Sequence, residues 1–155
     1  MVAIIVSDLR FFMSAVTIYH NPKCSASRNT LALIRHAGIE PTIILYLETP
    51  PTRATVRLMI SDAGLGVRDA LREKDALYRE LGLDNPELGD EQLLDAFEAH
   101  PILLNRPFVV TEKGARLCRP LARALEILPP MPQKAFAKED GTPVLDANGQ
   151  LINEG

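Results

Sequence analysis

The period of the apolar residues changes along the chain, and each change marks an element. Ala15–Tyr19 (AVTIY) is a short apolar run rich in β-branched residues, which predicts a strand. HNPKCSAS follows as a polar loop containing Pro22. From Asn29 to Ala37 the positions Thr30, Leu33, Ile34 and Ala37 fall on one helical face, and Gly38 supplies a C-terminal stop. Thr42–Leu47 (TIILYL) is continuously apolar, the pattern of a strand buried on both faces. Strand, helix and strand at this spacing make a βαβ unit, with parallel strands and a right-handed crossover.

Pro50-Pro51 then breaks the pattern and Thr52 is a good N-cap. Arg53–Ala63 carries Val56, Met59, Ile60 and Ala63 at i, i+3, i+4 and i+7, which predicts a helix ended by Gly64 and Gly66. Val67–Leu81 predicts short helical pieces. Asp90 is placed to cap a third helix running to Ala99, with Leu93, Leu94 and Phe97 buried and Pro101 closing the region. Phe108–Thr111 and Ala115–Cys118 flank a Glu-Lys-Gly turn and predict a hairpin. Leu121, Ala124, Leu125 and Leu128 mark a final helix. Residues 129–155 hold Asp140-Gly141 and Asn148-Gly149 and read as an irregular tail with turns. The order βαβ, helical insert, ββα is that of an α/β, thioredoxin-like sheet with a helical insertion between its halves.

A length of 155 residues suits one domain with a sizeable core. Residues 13–155 make up that domain. Met1–Phe12 reads as an N-terminal extension, and Met13 is a second plausible start. Asp8 and Arg10 interrupt its apolar runs, so it lacks the charge-then-apolar order of a secretory signal. No apolar run approaches the roughly 18 residues of a membrane span. The net charge of -3 argues against nucleic acid as a partner. Cys24 and Cys118 are the only cysteines. Far apart, with no CxxC and no zinc-like spacing, they read as reduced thiols of a cytoplasmic protein. The three histidines are scattered, so no metal site is expected.

Cys24 is the residue most suited to chemistry. It lies between the first strand and first helix, near the helix N-terminus, where free N–H groups and the positive end of the helix dipole favour a thiolate. An unperturbed thiol with a pKa of about 8.5 is only a few per cent ionised at pH 7. Lys23, Ser25 and Ser27 surround it with polarity, which is wrong for a structural core cysteine. Cys118, in an apolar strand, reads as a buried inert thiol.

The segment IYHNPKCSASRNTL resembles the active-site segment of the glutaredoxin-dependent arsenate reductases of the thioredoxin-like class. The resemblance continues through EPTIILYLETPPTR, VRDALREK, LDAFEAHPILLNRPFVVTEKGARLCRP and KEDG, covering about Val16 to Asp146 in one register. It implies that Cys24 is the nucleophile and that Arg72, Arg106 and Arg119 bind the anion. It further implies that His20 helps to activate the cysteine and that Pro107 is the cis proline facing it. Ser27 belongs to the helix start, where its hydroxyl can satisfy an N–H group or the sulfur of Cys24. By the same resemblance, glutathione serves as co-substrate and glutaredoxin as partner, and the protein needs no metal, flavin or nicotinamide.

Electrostatics gives the arginines a reason independent of any resemblance. Arsenate and a thiolate about 4 Å apart repel by about 4 kcal/mol at an effective dielectric near 20, so cations must offset that repulsion. Guanidinium groups stay charged and present paired donors to oxyanion oxygens. Residue type alone leaves other roles open: Arg72 as a solvated helix residue, Arg106 and Arg119 in surface ion pairs, and His20 as a group bonded to a carbonyl at the strand end. Two rival classes fit less well. A tyrosine-phosphatase scaffold needs Cys-x5-Arg, and the sixth residue after Cys24 is Thr30. A non-enzymatic thioredoxin-like regulator typically carries CxxC, whereas this chain reads Cys24-Ser25-Ala26-Ser27.

Overall fold

A computed structural model describes residues 15–155. The extension at residues 1–12 and the alternative start at Met13 lie outside the described residues. Strand β1 (Val16–His20) leads through a short loop into helix α1 (Ser25–His36), which is followed by β2 (Thr42–Leu45). The insert holds α2 (Arg53–Asp62), α3 (Ala76–Glu80) and α4 (Asp90–Ala99), with single 3-10 turns at Arg68–Ala70 and Pro101–Leu103. Strands β3 (Phe108–Thr111) and β4 (Gly114–Leu117) form the hairpin. The sheet order is β2-β1-β3-β4, with β1 parallel to β2 and antiparallel to β3. This is the expected thioredoxin-like α/β arrangement, with the helical insertion between its halves.

Strand alternation distributes the core over both faces of the sheet. Tyr19 and Phe108 point to one face and pack with Val56, Met59 and Ile60 of α2 and Leu93, Leu94 and Phe97 of α4. Ile18 and Val109 point to the other and pack with Leu33 and Ile34 of α1 and with Leu121, Ala124 and Ile127. The expected periodicity of α2 and α4 is therefore the pattern that covers the first face. Thr52 caps α2 as expected, its hydroxyl accepting from the Thr55 N–H.

Several boundaries differ from expectation for physical reasons. Helix α1 begins at Ser25, four residues before Asn29, and its N-cap is Cys24. Strand β2 is an edge strand with Thr42 and Ile43 exposed, because β1 covers only one side of it. It ends at Leu45, whose carbonyl accepts from the N–H groups of Glu48 and Thr49, so Tyr46 leaves the strand. Gly89 rather than Asp90 caps α4, with Gln92 accepting from its N–H. Cys118 lies just past β4, and the final helix is a 3-10 segment, Leu121–Glu126.

The tail is more ordered than its turns suggested. It forms a second small sheet, β5 (Phe136–Ala137) with β6 (Pro143–Leu145), and buries Val144 and Leu145 against the α1 face. Glu139, beside the Asp140-Gly141 turn, holds Arg28 of α1 by a two-pronged ion pair of 2.7 and 3.0 Å. Its N–H donates to Asn29 of the same helix.

Candidate active site

The site lies at the C-terminal end of β1, where the loop to α1 begins. Asn21 opens that loop with its side-chain carbonyl accepting from the Lys23 N–H, a turn favoured by Asn before Pro. The Cys24 N–H donates to the Asn21 carbonyl, and the Cys24 carbonyl accepts from Arg28 to start α1. Arg28 also donates to the Pro22 carbonyl at 2.8 Å, tying the loop to the helix. Cys24 thus stands at the N-cap, half-buried, with no cap bond made by its side chain.

This position sets the chemistry of its sulfur. Burial acts to raise the Cys24 pKa. The N–H of Ser27, hydrogen bonding and charge from Arg106, and the N–H of Ala26 together outweigh it, leaving the thiol below its ordinary value. Cys118 is the opposite case: it is 1 % exposed and burial pushes it up to about 12. The alkylation rate of Cys24 should therefore be half-maximal below the pH of about 8.5 expected for an unperturbed cysteine. It should fall as pH falls through the depressed value, and inorganic phosphate should slow it. A midpoint at or above about 8.5 would contradict the activated thiolate. The stability that the thiolate's partners contribute is present above the unfolded pKa and lost as pH falls through the folded one.

Arg106 is the arginine that acts on the sulfur. It is 7 % exposed, precedes a cis Arg106-Pro107 bond, and its Nε and Nη1 have no hydrogen-bond partner. Arg119 donates from Nη1 to the Arg106 carbonyl at 3.0 Å, and the Arg119-Pro120 bond is cis too. Arg72 and Arg119 line a cavity of about 340 Å³ together with Asn105 and Lys74. Arg72 lies near Asp75, at 3.4 Å, and its N–H donates to the Leu103 carbonyl. Arg106 is thus the arginine whose hydrogen bonding and charge lower the Cys24 pKa, whereas Arg72 and Arg119 line a cavity together with Asn105.

His20 and Ser27 form a buried pair, with Nδ1 and Oγ 2.6 Å apart. Ser27 Oγ also accepts from the Asn21 N–H at 3.0 Å. The Ser27 hydroxyl is therefore committed to the loop, and it is the backbone N–H of Ser27 that helps to lower the Cys24 pKa. Burial lowers the His20 pKa, aided by the charges of Arg35 and Arg28, which keeps the imidazole neutral near pH 7. Its connection to Cys24 runs through Ser27. Pro107 accepts from the Cys118 N–H at 2.9 Å, joining the loop to the end of β4.

Sequence reasoning passed over Asn21 and Tyr46, both buried beside these groups. The Asn-Pro pair was a readable signal for the first, and nothing in the continuous TIILYL run distinguishes the second. No cluster of metal-ligating side chains occurs among the described residues. Likewise, no helix among them is long and apolar enough to cross a membrane.

Comparison with known proteins places this geometry in context. The model of the ArsC family matches residues 19–127. The arsenate reductase of Rhizobium meliloti (strain 1021) is 59% identical over 137 residues, spanning 88% of this chain and 98% of that protein. An Escherichia coli arsenate reductase is 54% identical over 140 residues, covering 90% and 99%. The solved structure of the arsenate reductase from Vibrio cholerae superposes with a TM-score of 0.71 at 47% identity, over 74% of this chain and 98% of that one.

Proposed function

The chain belongs to the ArsC family, and on that premise we propose that it reduces arsenate to arsenite with Cys24 as nucleophile and with glutathione and glutaredoxin as electron donors. The observation that carries this reading is Cys24 at the N-cap of α1 with the buried Arg106 acting on it, so that the thiol's pKa is lowered. A thiolate held beside a buried guanidinium suits attack on an anionic centre, because the cation offsets the repulsion that keeps two anions apart.

Arsenate docks on Arg106, with Arg72 and Arg119 supplying charge from the adjoining cavity. The Cys24 thiolate forms a bond to arsenic and an arsenate oxygen leaves as water, giving a Cys24–As(V) adduct. Glutathione replaces a second oxygen on arsenic, again releasing water. A glutaredoxin thiolate then attacks the glutathione sulfur, and the sulfur–arsenic bond breaks with its electron pair on arsenic. Arsenic becomes As(III), and the two external thiols become one glutaredoxin–glutathione disulfide. Water finally displaces arsenite from Cys24. His20 and Ser27 hold the loop in which the thiolate forms, and Pro107 fixes the turn that carries Arg106. Cys118, buried and pushed up to about 12, is unsuited to resolving the adduct, so the second and third thiols come from outside. The protein requires no bound cofactor in this scheme and works in a reducing cytoplasm.

The test is arsenite formation from arsenate with glutathione and glutaredoxin together and with each left out. Full activity is expected only with both, and less than about one per cent with either missing. Equal turnover when thioredoxin replaces the pair would contradict the choice of donors.

A further inference from the structure

Three strands end side by side at the site, and three residues lie just beyond them. β1 pairs with β2 through His20↔Leu45 and with β3 through Tyr19↔Phe108. Asn21 and Tyr46 directly follow the ends of β1 and β2, and Arg106 lies two residues before Phe108 of β3. Tyr46 packs in the core with Tyr19 and Phe108 and is fully buried.

The polar atoms of this group are unusual. Tyr46 Oη and the Nε and Nη1 of Arg106 are, among the described residues, the buried side-chain atoms that lack a hydrogen-bond partner. Buried polar groups are almost always paired, because leaving one unpaired forfeits its interaction with water. Here two of the three belong to Arg106, and the charges of both Arg106 and Cys24 act on the third, the Tyr46 hydroxyl. Burial raises the Tyr46 pKa, while Arg106, the Asn21 side chain, Cys24 and Arg72 all act on the hydroxyl. Tyr46 is therefore protonated near pH 7 and is a donor placed among the two arginines and the thiol.

Resting on the reading of this site as an oxyanion site, we propose that Tyr46 is a substrate-positioning residue whose hydroxyl, with the unpaired N–H groups of Arg106, donates to the bound oxyanion. Because the protein itself gives the hydroxyl no hydrogen-bond partner, its removal should leave stability unchanged or improved and should weaken binding.

The experiment compares wild type, Tyr46→Phe and Tyr78→Phe. Tyr78 is also buried, but its hydroxyl accepts from Arg68. KM and kcat for arsenate are measured, with Tm and the phosphate concentration that half-protects Cys24 from alkylation. Tyr46→Phe should raise KM and the half-protecting phosphate concentration about tenfold, change kcat less, and keep or raise Tm without ligand. Tyr78→Phe should change neither binding measure. Unaltered KM and phosphate protection in Tyr46→Phe, or a fall in Tm as the sole effect, would overturn the proposal while leaving the oxyanion site standing. If wild type itself shows no phosphate protection and no arsenate turnover, the oxyanion reading fails and this inference with it. Should Tyr46→Phe not fold, Tyr46→Met fills the same space without a hydroxyl and is read by the same criteria.

Discussion

Replacing Cys24 with serine will abolish arsenite formation, with a loss of at least about 10⁴-fold in kcat/KM, the scale on which covalent enzymes respond to removal of their nucleophile. The reason lies in the N-cap position. N–H groups of Ser27 and Ala26 and the Arg106 guanidinium stabilise a negative sulfur, and a serine hydroxyl is far from ionised at neutral pH even with such help. The fold should be unaffected, because Cys24 stands at the N-cap of α1 and serine is itself a favoured cap residue. Cys118→Ser should show the reverse pattern. It places a hydroxyl in the packed core between β4 and the 3-10 segment, costing about 1–3 kcal/mol of stability, yet retains activity. Steady-state kinetics together with thermal melts of both variants separate the two roles. An inactive but folded Cys118→Ser enzyme would mean that two internal thiols take part.

Arg106→Ala should have the next largest effect, about a hundredfold or more in kcat/KM. Two charged hydrogen bonds at about 1.5–3 kcal/mol each, at 1.36 kcal/mol per decade, account for that size. On the proposed reading Arg106 acts twice: it favours the Cys24 thiolate and it meets the anion. The alanine variant should therefore raise the alkylation midpoint of Cys24 as well as KM. Arg72→Ala and Arg119→Ala, whose guanidiniums line the cavity and do not bond the sulfur, should each cost about tenfold and leave that midpoint nearly unchanged. Lysine at each position restores charge without paired geometry and should fall between. The measurement is kcat/KM and the alkylation midpoint for the six variants, with circular dichroism to confirm folding. Equal losses at all three positions would mean that the arginines act as an undifferentiated charge.

The order of elements was legible because it rests on period. The α2 stripe at Val56, Met59, Ile60 and Ala63 and the FVVT strand each have one geometry that buries their apolar face. The misread boundaries arise where tertiary context decides. SASR carries no apolar stripe, so nothing local extended α1 back to Cys24, and cysteine is not a favoured cap residue. The TIILYL run is as apolar as a central strand, yet position at the sheet edge exposes Thr42 and Ile43. Turn-rich residues hid the tail's small sheet, whose buried Val144 and Leu145 have partners on α1 far away in sequence. Cys24 was readable from its neighbours, and the arginines from resemblance. The division of labour among the arginines was not, since it depends on which guanidinium reaches the sulfur. Tyr46 was hidden for the same reason: a single segment does not display which groups its buried, unpartnered hydroxyl stands among.

The central claim is that Cys24 forms the covalent bond to arsenic, and trapping that bond tests it most directly. Wild-type protein is mixed with arsenate and glutathione, glutaredoxin is withheld, and the reaction is quenched for intact-protein and peptide mass analysis. The account predicts a mass increase corresponding to arsenic with one glutathione, located on Cys24, dependent on arsenate and lost when glutaredoxin is added and arsenite appears. Arsenite produced at the wild-type rate by protein whose Cys24 had first been blocked by alkylation would contradict it.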